Sequence, residues 1–191
     1  MPRSGAAARD RLERAALELY RERGYDQTTI AEIAARAGVT QRTFFRHFGD
    51  KREVLFHIEL RQQRALAAAL ADVPAAAPPL TAVLLAFRSM APGMEINRAL
   101  AEARHHVIAA TPALRERELA KAAALSIVVA DALRGRGLPP WRATLLAEVS
   151  TAALGHAVHT WVADASADLD ALIVRAFTEL RAFADVTVPS A

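Results

Sequence analysis

The chain has 191 residues, with 24 Lys and Arg against 21 Asp and Glu, six His, no Cys and 53% hydrophobic residues. The absence of cysteine excludes disulfide frameworks, thiolate metal sites and cysteine nucleophiles. Alanine fills 45 positions, and because it is the best helix former rather than bulky core material, an all-helical protein is expected.

The first predicted helix runs from about Ala7 to Arg23, where Leu12, Ala15, Ala16, Leu19 and Tyr20 recur at three- and four-residue spacing and Gly24 supplies a stop. The second begins at Thr29, with Glu32 three residues on as the reciprocal half of a capping box, and ends at Gly38. Thr40 is placed to cap a third helix through Phe48, and a second capping pattern at Asp50 and Glu53 opens a long helix from Lys51 to about Ala71. The Pro-rich stretch VPAAAPPL interrupts the chain after residue 72. Helices are expected at about Leu80–Met90, Met94–Ile108 and Thr111–Arg134, with a Pro-Gly break at Pro92 and Gly93. After the turn GRGLPP come helices at Trp141–Ala163 and Asp168–Ala184, and the final VTVPSA is expected to fray. Neither uncharged stretch, Val73–Phe87 or Val149–Ala163, reaches the ~20 apolar residues of a spanning helix. The N-terminus has no apolar leader core, so a cytoplasmic protein without membrane contact is expected.

Two short helices around a turn at Gly38, each too small to fold alone, match a helix-turn-helix. That motif sends the first turn of the second helix, Gln41, Arg42 and Thr43, toward a DNA major groove, while Phe44 and Phe48 share the opposite, core-facing side. Charge agrees with such a partner. Residues 1–65 carry 13 basic and 9 acidic side chains, and Arg42, Arg46, Lys51 and Arg52 cluster against Asp50 alone. That is the footprint of phosphate binding, although a solvated helical face gives the same count.

The stretch TTIAEIAARAGVTQRTFFRHFGDKREVLF, residues 28–56, resembles the DNA-binding segment of the TetR family of bacterial transcriptional regulators. The paired caps, the AGV turn, the T-F-F-x-H-F run and the following D-K-x-E occur in order. The likeness spans roughly residues 9–60. It implies a three-helix DNA-binding unit at 1–55, joined to a helical ligand-binding and dimerisation domain at 56–191, about nine helices in all. It further implies a homodimer on an inverted-repeat, double-stranded DNA operator and an unidentified small-molecule effector. Position by position, Thr28 and Thr29 would set a helix N-terminus against a phosphate. Gln41, Arg42 and Thr43 would read base edges, with Arg42 suited to guanine and Gln41 to adenine at about 1–3 kcal/mol of discrimination per good pair. His47 and Lys51 would grip the backbone. Phe45 departs from the family's usual Tyr, so its contact must be apolar or absent, with Arg46 placed to compensate. The arm Arg3–Arg11 would reach the flanking minor groove.

In the rear part Phe87, Met90 and Met94 are candidate lining for a pocket holding a small apolar or aromatic effector, or else ordinary core. Trp141–Ala163 and Asp168–Ala184 are the expected dimerisation helices, Ala-rich enough for close approach. His105 and His106 point apart, and His156 and His159 share a face but lack a third ligand, so no metal is expected. GRGLPP lacks the strand and third glycine of a dinucleotide site, and no nucleophile elbow or carboxylate pair occurs. Neither a cofactor nor enzymatic activity is therefore expected. The reading is a ligand-responsive, sequence-specific repressor. Its rivals are a nonspecific architectural DNA binder and a helical small-molecule-binding protein.

Overall fold

The computed structural model describes residues 3–184, excluding the side chains of residues 3–5 and 184. The terminal VTVPSA and the Arg3 side chain therefore lie outside the described residues. Among those residues there is no strand, and ten helical segments follow in order: α1 (Arg3–Arg23), α2 (Ile30–Arg36), α3 (Gln41–His47), α4 (Glu53–Phe56), α5 (Glu59–Asp72), α6 (Pro79–Glu95), α7 (Arg98–Ala110), α8 (Pro112–Gly135), α9 (Pro140–Ala163) and α10 (Leu169–Ala184). The all-α architecture is the one expected. The count exceeds nine because the helix predicted over Lys51–Ala71 is two, separated by His57 and Ile58.

Local chemistry sets most boundaries. Thr29 and Glu32 form a full capping box: the Thr29 hydroxyl oxygen accepts from the Glu32 N–H while the Glu32 carboxylate accepts from the Thr29 N–H at 2.9 Å. Helix α2 ends in a paired-bond turn, Val39 N–H to the Ala34 carbonyl and Gly38 N–H to the Ala35 carbonyl. This turn requires the left-handed backbone that Gly38 adopts at φ +66°. Thr40 caps α3 through the Thr43 N–H, and the Asp168 carboxylate caps α10 through the Ala171 N–H at 2.7 Å.

Pro92 does not end α6, which continues through Gly93 to Glu95. A proline costs the helix one hydrogen bond and crowds the preceding turn, but the last turn here is anchored from outside. The Glu95 carboxylate accepts from Trp161 Nε1 at 2.7 Å and from the Leu169 N–H at 2.9 Å. The boundary predicted at Met94 accordingly moves to Arg98.

The chain forms two compact units. Unit 1 runs to Leu60 and takes in Ala99–Glu118; unit 2 holds Arg61–Arg98 and the chain from Leu119 onward. Unit 1 packs α1, α2, α3 and α4 around Leu12, Leu19, Ile33, Phe44, Phe48 and Leu55, with Val107, Ile108 and Leu114 closing the same core. In unit 2, α9 and α10 pair and α6 packs on both, with Phe87 edge-on to Phe177 at 6.0 Å and Trp161 fully buried. The Arg98 guanidinium lies 4.5 Å from the Trp161 ring centre and donates to the Trp161, Asp164 and Ala167 carbonyls, closing the C-terminal end of α9.

Candidate nucleic-acid interface

Helix α3 has two faces of opposite character. Phe44 and Phe48 are buried, 5.6 Å apart ring to ring, and each is worth about 1.5–3 kcal/mol by burial. They fix the helix against unit 1. Gln41, Arg42, Phe45 and Arg46 are exposed on the other side, and Thr43 is half-buried with its hydroxyl 3.1 Å from that of Thr40. Phe45 keeps 54% of its surface exposed although it stands edge-on to Phe44 at 5.7 Å. Among the described residues neither Arg42 nor Arg46 has an ion-pair partner, whereas Arg52 pairs with Asp50 at 3.2 Å. A seven-residue helix thus presents two unneutralised guanidiniums, an amide and an aromatic ring beside an otherwise closed core.

His47 closes the C-terminal end of α3. Its Nε2 is buried without a hydrogen-bond partner, and its pKa is held below the ordinary histidine value, chiefly by burial and then by the charges of Arg46 and Arg9. The Arg9 guanidinium also lies 5.9 Å from the Phe48 ring centre, which places a cation of α1 beside α3. The segment expected to act as an arm is helical from Arg3, and Arg11 Nε donates to the Ala37 carbonyl at 3.2 Å.

The remaining predicted contacts are deeper. Thr28 is buried, and its hydroxyl donates to the Gly24 carbonyl at 2.9 Å. The Thr29 hydroxyl donates to the Glu32 carboxylate at 2.8 Å. Lys51 Nζ donates to the carbonyls of Tyr25, Thr28 and Asp26 at 2.8, 2.9 and 3.2 Å and lies 4.5 Å from the Tyr25 ring centre. In turn the buried Tyr20 hydroxyl donates to the Lys51 carbonyl at 2.6 Å. The lysine therefore ties the turn between α1 and α2 to the start of α4. Main-chain carbonyls carry no side-chain signature, so sequence reasoning could not reveal that role.

In unit 2, Phe87 is core, and Met90 and Met94 are half-buried. One cleft of about 510 Å³ is lined by α6 residues including Leu85, Arg88 and Glu95 together with Asp168 and Asp170. Another, of about 500 Å³, lies between α5 and α8 beside Ala67, Leu70, Ala132 and Arg136. None of Phe87, Met90 and Met94 lines either one. Trp141, Leu145 and Val149, four residues apart along α9, form an exposed apolar stripe, with Trp141 74% exposed; Phe183 of α10 is also exposed. Among the described residues no three His, Asp or Glu are grouped to hold a metal, and no helix is long and apolar enough to cross a membrane.

Residues 13–58 match the family model for bacterial regulatory proteins of the tetR family, and residues 77–184 match that of the MftR C-terminal domain. The HTH-type transcriptional regulator TcmR of Streptomyces glaucescens is 45% identical over 82 residues, which are 43% of this chain and 36% of TcmR's own length. Two solved structures share the fold. FadR of Thermus thermophilus, described as a TetR-family transcriptional repressor in complex with lauroyl-CoA, has TM-score 0.62 and 24% identity, covering 96% of this chain and 98% of its own. The complex of SmeT with triclosan has TM-score 0.68 and 22% identity, covering 97% and 96%. SmeT represses a multidrug efflux pump of Stenotrophomonas maltophilia.

Proposed function

The chain belongs to the TetR family of bacterial regulatory proteins, a DNA-binding transcriptional regulator rather than an enzyme, and from that premise we propose a ligand-responsive repressor. It binds an inverted-repeat operator as a homodimer in the cytoplasm and is released by a small apolar or aromatic effector. The observation that carries this reading is the two-faced α3, clamped through Phe44 and Phe48 while Gln41, Arg42, Phe45 and Arg46 stand free. Gln41, Arg42 and Thr43 read base edges; Phe45, Arg46 and His47 meet the backbone. Thr28 and Lys51, whose polar groups are engaged inside unit 1, serve by fixing the turn that presents Thr29. The exposed apolar stripe of α9 and Phe183 of α10 supply the dimer contact.

The deciding experiment is selection of bound duplexes from a random-sequence library at physiological salt. An enriched inverted repeat is expected. DNA retained only at low salt, without enrichment, would replace this reading with the nonspecific binder. For the effector, the lauroyl-CoA and triclosan held by the structural relatives make an acyl thioester and a chlorinated phenol the first probes of operator release, and release by at least one of them is expected.

A further inference from the structure

Residues 51–71 contain neither Gly nor Pro, so local propensity favours one continuous helix across positions 57 and 58. In such a helix the Leu55 carbonyl would accept from the Glu59 N–H. Instead α4 ends at Phe56, α5 begins at Glu59, and the Leu55 carbonyl accepts from Arg104 Nε of α7 at 2.6 Å. Arg104 is held on two further sides. Its Nη2 donates to Glu118 at 2.6 Å, and its guanidinium lies 5.1 Å from the Phe56 ring centre. Arg117 stands 5.7 Å from the same ring and pairs with Glu59 at 2.9 Å. Within the break, His57 Nδ1 is 3.0 Å from the Val54 carbonyl and Nε2 is 3.7 Å from the Glu13 carboxylate. All of these residues belong to unit 1.

We infer that Arg104 is a latch that holds this break open against the helical preference of its own sequence, and that the state of the break sets DNA affinity. The alternative state is a continuous helix in which the Glu59 N–H takes the Leu55 carbonyl. The two states exchange one hydrogen bond for another, so a ligand that favours either can shift the population. The path to α3 is short. The Glu53 carboxylate of α4 accepts from the Gly49 N–H at 2.6 Å, and the Asp50 carboxylate accepts from the Glu53 N–H at 2.8 Å, so the middle of the α3–α4 connection is tied to the first residue of α4. Val54, Leu55 and Phe56 are all buried, so α4 cannot shift without disturbing the core that seats Phe44 and Phe48.

The DNA half of this inference rests on the function proposed above; the latch itself does not. The test is amide hydrogen exchange, read residue by residue by NMR on the full chain, alongside affinity for the selected duplex. Arg104→Ala is expected to raise protection at Glu59 and Leu60 and to weaken DNA binding about tenfold, the worth of one charged hydrogen bond. Adding Glu59→Pro removes the competing N–H and is tolerated at the first helical position. It should return Leu60 protection and DNA affinity to wild-type values, a rescue that loss of fold could not give. If Arg104→Ala does not fold, Arg104→Lys keeps the cation while lacking the planar fork that reaches both Leu55 and Glu118, and the same signature is expected. Unchanged or lowered protection at Glu59 and Leu60 overturns the latch. Raised protection with unchanged affinity overturns its regulatory role. A protein that binds no DNA removes that role together with the proposed function, while exchange still decides the latch.

Discussion

Burial and the neighbouring charges of Arg46 and Arg9 hold the His47 imidazole below its ordinary pKa, so near neutrality it is uncharged with Nε2 unpartnered. A DNA phosphate brought near this half-buried ring favours its protonated form. DNA affinity is therefore expected to rise as pH falls into the range where the ring takes up a proton, and His47→Gln should flatten the profile; competition binding over a pH series checks both. Fold stability runs the other way. The unfolded ring takes up a proton at its ordinary pKa while the folded one resists, so this contribution is full above the unfolded value and lost as pH falls below it. Arg42→Ala should cost about 1–3 kcal/mol on the selected duplex and relax preference at one base pair. If it weakens all duplexes equally, Arg42 touches phosphate only. Phe45→Tyr restores the hydroxyl usual in this family on an exposed ring, and a gain of about 0.5–1.5 kcal/mol in DNA affinity is expected; an unchanged affinity would show that no phosphate lies within reach of that position.

Elements whose limits depend on neighbours in the chain were legible: Thr29 with Glu32, Thr40 with Thr43 and the Gly38 turn act within a few residues of themselves. Thr29→Ala should accordingly lower stability by about 1 kcal/mol in a denaturant melt. Where a partner far along the chain intervenes, local reading stops. Lys51 looks like an exposed cation in sequence, yet its ammonium joins three carbonyls more than twenty residues away. Lys51→Met is expected to destabilise the fold by about 1–3 kcal/mol, because those carbonyls lose their donor. A melting temperature equal to wild type would show that water replaces the ammonium at no cost. Pro92 is the converse case: a helix breaker on local grounds, carried through because Glu95 is anchored by Trp161 and Leu169.

At the scale of the molecule, the homodimer proposed above requires an apolar surface left uncovered in the single chain. The α9 stripe of Trp141, Leu145 and Val149 stays exposed in the single chain, and a charge placed in a buried dimer face is costly. Leu145→Arg is therefore expected to yield a folded monomer by sedimentation, with operator affinity falling by well over tenfold because the two half-sites are no longer bound together. A dimer that persists would move the interface elsewhere. By itself the sequence determined the helical class, the capped helix-turn-helix, the outward placing of Gln41 and Arg42 and the inward placing of Phe44 and Phe48, because each depends on periodicity and caps that span only a few residues. Tertiary structure decided the break at His57 and Ile58 and the role of Lys51. It also brought Ala99–Glu118 into the unit that carries α3. Each of these turns on a side chain or buried face meeting a carbonyl or core distant in sequence, and such meetings leave no trace in local periodicity.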